Sequence, residues 1–202
     1  MELSELFEKC LRVQYTHVEN GGDFRLLRRG GTLYVYFAHS DGALDWKNNL
    51  DFPAELTASE GAPCLFAHRG FLRVWRAIMP YVAPAIGDAR TRGITAVGYS
   101  HGAALAVLCY DYARRTRPLL KNEITGYGFG CPRVLWGIRT RAVKEHFKRF
   151  TVVRNIDDIV THLPPAALGY FHVGSLLEIG KKGKYSRVDA HRAENILHEL
   201  ST

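Results

Sequence analysis

The stretch Ile94-Thr95-Ala96-Val97-Gly98-Tyr99-Ser100-His101-Gly102-Ala103-Ala104-Leu105-Ala106 decides how this chain is read. Ile94 to Tyr99 is a short apolar run of the kind that forms a buried strand. Gly102 to Arg115 is rich in Ala and Leu and reads as a helix. Between the two, Gly98-x-Ser100-x-Gly102 matches the nucleophile-elbow pattern in the strand–turn–helix context that pattern requires. Its glycines have a steric reason. A sharp turn holds the serine in strained backbone geometry, and side chains at the flanking positions would collide with the neighbouring strand and helix. The helix N-terminus also points free N–H groups toward negative charge forming beside Ser100. The plain alternative is a glycine-rich turn carrying a structural serine.

A serine hydroxyl is a weak nucleophile and needs a base oriented by an acid. In a fold with this elbow the partners follow in the order Ser, acid, His. Phe150 to Arg154 reads as a strand, and Asn155-Ile156-Asp157-Asp158-Ile159-Val160 follows it, which offers two carboxylates. His162, His172, His191 and His198 come later. His162 is close to the acid in sequence, His172 opens a predicted strand, and His198 lies inside the last predicted helix. His191 falls between a predicted strand, Tyr185 to Val188, and that helix, so its position favours it as the base.

The remaining elements build outward from the elbow. Residues 3–13 repeat Leu3, Leu6, Phe7, Cys10 and Leu11 at helical spacing. Phe24 to Leu27 and Leu33 to Ala38, separated by Arg28-Arg29-Gly30-Gly31, predict a hairpin. Helices are expected over Gly70 to Val82, Ile138 to Lys148 and Arg192 to Leu200, and strands over Glu123 to Phe129 and Phe171 to Ile179. Strands alternating with helices imply an α/β domain over 1–202, with a mostly parallel central sheet and helices on both faces. Functional residues then gather at the carboxyl ends of the strands.

Composition narrows the function classes. The chain has 202 residues, 47% hydrophobic and 23% charged, which is a globular balance. No segment reaches the roughly 18 uncharged apolar residues of a spanning helix. Met1 to Glu8 lacks the basic start and apolar core of a signal peptide, so a cytoplasmic location is expected. Cys10, Cys64, Cys109 and Cys131 show no CxxC spacing and are expected as free thiols. The net charge of +7 comes from scattered Lys and Arg. It carries no nucleic-acid motif, so no nucleic-acid partner is expected. An anionic lipid surface is compatible with it.

Several ordered motifs resemble the class 3 lipase family, also described as fungal-type triacylglycerol lipases, over roughly residues 33 to 200. They are Leu33-Tyr34-Val35-Tyr36-Phe37-Ala38-His39-Ser40, Leu44-Asp45-Trp46 with Asn49-Leu50, His68-Arg69-Gly70-Phe71, the elbow itself, Phe129-Gly130-Cys131-Pro132-Arg133-Val134, and Asn155 to Pro165 followed by Gly169-Tyr170-Phe171-His172. The resemblance implies an α/β-hydrolase fold and serine-dependent hydrolysis of carboxylic esters of lipids, acylglycerol or phospholipid. It places the nucleophile at Ser100, the acid at Asp158 and the base at His191. It puts oxyanion donors at the N–H of His101 and at Ser40. Leu44, Trp46 and Leu50 become part of a lid over an apolar acyl site, with packing into the core as the alternative for Trp46. No metal or organic cofactor is implied; an ester substrate and transient contact with a lipid interface are. The oligomeric state is left open.

The chain departs from the family where Phe-Arg-Gly is replaced by Phe37-Ala38-His39, and where His101 stands in place of a common Leu. Two other readings stand beside this one, the second supported by the His39 substitution. One is a soluble carboxylesterase, thioesterase or feruloyl-type esterase of the same fold. The other is an inactive binding protein that keeps the fold.

Overall fold

A computed structural model describes residues 2–19, 22–39, 53–57 and 63–202 of the chain. The order of elements is α1 (Leu3–Arg12), β1 (Phe24–Arg29), β2 (Thr32–Phe37), β3 (Ala54–Leu56), β4 (Phe66–His68), α2 (Arg69–Gly87) and β5 (Gly93–Tyr99). Then come α3 (His101–Thr116), β6 (Ile124–Phe129), β7 (Leu135–Trp136), α4 (Arg141–His146), β8 (Phe150–Asn155), β9 (Tyr170–Phe171), β10 (Ser175–Ile179) and α5 (Ala193–Leu200). The main sheet has six strands in the order β1-β2-β5-β6-β8-β10. Among the described residues of this sheet, only the edge pair β1–β2 is antiparallel; the other four pairings are parallel. This is the mostly parallel α/β sheet expected from the alternation of elements.

Strand β5 runs down the middle, and all seven of its residues are buried. A central parallel strand is covered on both faces, which is why Ile94 to Tyr99 is apolar without alternating. On one face α2 and α3 bury Phe71, Trp75, Ile78, Leu105 and Leu108 against Val35, Ile94 and Val152. On the other, α1 and α5 bury Leu6, Phe7 and Ile196 against Tyr36, Val97, Phe129 and Val153. Phe7 stacks on Phe129 and meets Tyr99 edge-on, so α1 closes that face directly beneath the elbow.

The structure corrects several boundaries. Helix α2 runs to Gly87 rather than stopping at Val82, because Ile78, Val82 and Ile86 continue one buried stripe at four-residue spacing. Pro80 and Pro84 interrupt only its exposed side. Helix α4 is shorter than Ile138 to Lys148; the Thr140 side chain accepts from the N–H of Val143 and caps its start. The predicted strand Phe171 to Ile179 is two strands. β9 belongs to a second, antiparallel sheet, β3-β4-β7-β9, while β10 joins the main sheet. Gly174 makes the break at φ 63°, where a Cβ would lie 2.0 Å from the carbonyl oxygen of Phe150. Tyr185 to Val188 forms no strand. All four cysteines are free thiols, with Cys10, Cys109 and Cys131 buried.

One buried ionic cluster fastens α4 to α3. Asp111 receives the Nε of Arg115 at 2.9 and 3.0 Å, and lies 2.8 Å from the Nε2 of His146. Removing one member of such a group leaves its partners buried and uncompensated. Asp111→Ala is therefore expected to lower unfolding free energy by about 3 kcal/mol, read from the urea midpoint. A loss below about 1 kcal/mol, the value of an exposed pair, would show that the cluster is solvated.

Candidate active site

Ser100 sits between the end of β5 and the first residue of α3 with φ 54° and ψ −121°. Among the described residues it is the one non-glycine with positive φ. Such strain persists only where the surroundings impose it, and here glycines impose it. A Cβ on Gly98 would lie 2.0 Å from the carbonyl oxygen of Gly102. A Cβ on Gly102 would lie 2.4 Å from the carbonyl oxygens of both Phe37 and Ala38. The two flanking glycines thus let α3 begin in contact with the ends of β2 and β5, as the sterics of the motif require.

The Oγ of Ser100 lies 2.8 Å from the Nε2 of His191, and the Nδ1 of His191 lies 2.8 Å from the Oδ2 of Asp158. The structure therefore brings together the three side chains named from the sequence. Asp158 is fully buried, and its Oδ1 accepts the N–H of Val160 at 2.8 Å. A carboxylate only accepts, so the proton of His191 belongs on Nδ1. Nε2 is then free to accept from the Ser100 hydroxyl. Asp157, the other carboxylate, accepts the N–H of Gly183 at 2.6 Å instead. His191 closes a single 3-10 turn, Asp189–His191, rather than following a strand.

Two residues that sequence reasoning did not single out shape the His191 position. Tyr99 donates its hydroxyl to the backbone carbonyl of His191 at 2.6 Å, and its ring stacks on the imidazole at 5.3 Å. Burial, then the charges of Asp158 and Glu194, push the Tyr99 phenol well above its ordinary range, so it stays a donor. Gly130, at φ 55°, backs the His–Asp contact. A Cβ there would lie 2.8 Å from Cε1 and 2.9 Å from Nδ1 of His191. The available signals were the aromatic residue inside the elbow and the glycine of Phe129-Gly130-Cys131-Pro132. The Cys131 thiol, pushed up by burial and by Asp158, is no nucleophile.

The N–H of His101 opens α3, where the first four N–H groups have no acceptor within the helix. Its side chain is buried, with its ring 5.5 Å from that of Phe71. His39 is exposed and packs 5.3 Å from the Tyr99 ring. Ser40, Leu44, Trp46 and Leu50 lie outside the described residues. The other histidines are placed elsewhere. His198 is exposed on α5, and His162 is exposed beside the acid loop. His172 packs its Nε2 against the Thr161 carbonyl at 2.8 Å.

A strained serine and a buried carboxylate just past the carboxyl ends of parallel strands, bridged by an imidazole, define an α/β-hydrolase-type site. Comparison with known proteins gives the same class. The sequence model of the family Lipase (class 3) matches residues 34–168, about two thirds of the chain, and the chain belongs to that family. A lipase from Rhizomucor miehei is 29% identical over 149 residues, covering 71% of this chain and 40% of the relative. A phospholipase A1-II 5 from Oryza sativa subsp. japonica is 30% identical over 125 residues, covering 54% of this chain and 26% of the relative. The chain thus spans well under half the length of these curated relatives. A fungal lipase–inhibitor complex superposes with a TM-score of 0.76 at 21% identity, covering 94% of this chain and 82% of that one. The Rhizomucor miehei triacylglyceride lipase structure gives 0.65 at 23%, covering 83% of this chain and 67% of that one. At these identities the structures establish a shared fold.

His172 supplies a stability test. Burial is the main cause that lowers its pKa from 6.5 to about 4, and the nearby cations Arg133 and Arg154 add to it, while the Thr161 carbonyl opposes. The folded state thus binds its proton less readily than the unfolded chain. The contribution is intact above pH 6.5 and is lost as pH falls toward 4. His172→Gln is expected to flatten the fall in unfolding free energy between those pH values by about 3 kcal/mol. Parallel profiles for the variant and the native chain would contradict the buried neutral imidazole.

Proposed function

We propose that this chain hydrolyses carboxylic esters of lipids through an acyl-enzyme on Ser100. The observation that carries the reading is the continuous Ser100–His191–Asp158 geometry, with both heavy-atom separations at 2.8 Å. His191 takes the serine proton as Oγ attacks the ester carbonyl, then gives it to the departing alcohol. Water activated by the same imidazole releases the acid. Asp158 holds the ring in the needed tautomer and stabilises the imidazolium; its burial and its bond to Val160 keep it from turning away.

The N–H of His101 serves as one oxyanion donor. A donor fixed before charge develops is worth roughly 3–4 kcal/mol of barrier. Ser40 and the lid role of Leu44, Trp46 and Leu50 rest on the family likeness.

Family membership supports lipid esters as substrates, and an apolar surface supports contact with a lipid interface. Phe66, Trp136 and Leu168 are 38%, 43% and 52% exposed. The Phe66 and Trp136 rings meet edge-on at 6.0 Å, and the indole N–H of Trp136 donates to the Leu168 carbonyl at 2.9 Å. An indole with its polar edge satisfied and its body exposed suits the boundary of water and lipid. No described helix is long and apolar enough to cross a membrane.

The test is hydrolysis of p-nitrophenyl esters of graded chain length, dispersed in detergent. Ser100→Ala is expected to lower kcat by at least about 10³-fold. Asp158→Asn is expected to lower it by about 10⁴-fold, with little change in KM. Preference for long chains supports a lipase, and preference for short soluble esters supports a carboxylesterase. No turnover by the folded native chain on any ester would support the binding-protein reading.

A further inference from the structure

Next to the acid loop lies a cavity of about 480 Å³ that the triad does not use, lined by Ile156, Asp157, Ile159, His162, Lys182 and Arg187. We propose that Lys182, Arg187 and His162 form a binding site there for an organic phosphate, with Ile156 and Ile159 receiving its apolar portion. The charges favour an anion. Lys182 and Arg187 against the single carboxylate of Asp157 leave the lining at +1 with His162 neutral. Neither Lys182 nor Arg187 has a side-chain hydrogen-bond or ion-pair partner among the described residues. Three cations nearby are paired: Lys184 with Glu199, Arg154 with Glu178 and Arg192 with Asp189. Both therefore bring uncompensated positive charge to the cavity lining.

The frame around them is fixed. Asp157 holds the turn through the N–H of Gly183 at 2.6 Å, and the Arg187 carbonyl accepts from the N–H of Ile159 at 3.2 Å. Only the two side chains need ordering when an anion arrives, which limits the entropic cost of binding. The surrounding field agrees. Burial first, then Arg154, Arg133 and Arg187, hold the His162 imidazole below its usual range, against the opposing pull of Asp158. An anion relieves that repulsion and lets His162 donate. At 480 Å³ the space exceeds what one phosphate fills, and its isoleucine walls call for a carbon body.

The phosphate has two available sources, the headgroup of an anionic lipid or a soluble phosphate ester. Binding of the full chain to phosphatidylcholine vesicles with and without phosphatidic acid tests the first. Titration with glycerol 3-phosphate tests the second. The double variant Lys182→Gln/Arg187→Gln is compared with Lys121→Gln/Lys144→Gln, which removes the same charge from exposed sites on and beside other elements.

The cavity variant is expected to lose roughly thirtyfold in affinity for the anionic probe that binds, at a few-fold per charge compounded with loss of directed contacts. The control is expected to stay within about threefold of the native chain. Loss with vesicles only assigns the site to a lipid headgroup, and loss with glycerol 3-phosphate assigns it to a soluble ester. Equal losses in both variants, or no binding of either probe by the native chain, would overturn the site. The readout is binding, so it stands or falls apart from ester hydrolysis.

Discussion

The first turn of α3 approaches the main sheet closely enough that positions 98 and 102 have no room for a side chain. Hypothetical Cβ atoms there would come within 2.0 and 2.4 Å of backbone oxygen, far inside any tolerated contact. Because the helix starts so close to β2 and β5, the chain has one residue in which to turn from strand to helix. That residue is Ser100, at φ 54°. The strain is thus a by-product of packing, sustained by a fully buried strand and by a helix whose Ala103, Ala104 and Ala106 are fully buried. The same approach aims the open N–H groups of α3 at the space beside the serine hydroxyl.

Once the elbow is set, sheet order does the next part. β5, β6 and β8 are neighbours, and their carboxyl ends lead into Ser100, Gly130 and the loop of Asp158. Three segments far apart in sequence therefore meet at the carboxyl end of the sheet. His191 is different, since no strand delivers it. It is placed by contacts: the Tyr99 hydroxyl on its carbonyl, the Tyr99 ring on its imidazole, and Gly130 clearing the space behind the ring. Tyr99 lies between the two constraints. Its backbone ends β5 and its side chain holds the base, so the nucleophile and its base are referred to the same residue.

Contiguity separates what is legible in the sequence from what is not. The elbow is legible because strand, turn and helix follow one another along the chain, and each glycine answers to a local clash. Asp158 and His191 are legible through order along the chain and family likeness, which need no coordinates. Tyr99 and Gly130 are not, since their roles exist only after residues 92 and 61 positions away are folded against them. Tyr185 to Val188 misleads for a similar reason: the segment has the composition of a short strand, but its backbone turns into the 3-10 turn Asp189–His191 and bonds to the acid loop, the N–H of Ile159 reaching the Arg187 carbonyl at 3.2 Å. Phe171 to Ile179 reads as one strand because periodicity does not register a reversal of backbone hand at Gly174.

The segment 180–188, which joins no strand, connects β10 to the turn that carries His191, and it and the last residue of β10 are bound to the acid loop at successive points. Ile156 donates to the Ile179 carbonyl at 3.1 Å, Gly183 donates to Asp157 at 2.6 Å, and Ile159 donates to the Arg187 carbonyl at 3.2 Å. Acid loop and base-bearing segment are laced together by these bonds, and the His191–Asp158 contact joins them again. The adjacent carboxylates have different partners, Asp158 the imidazole and Asp157 the N–H of Gly183. A strand in this segment would have committed its N–H and carbonyl groups to a ladder. Left irregular, it directs them to the loop whose distance from His191 the chemistry depends on.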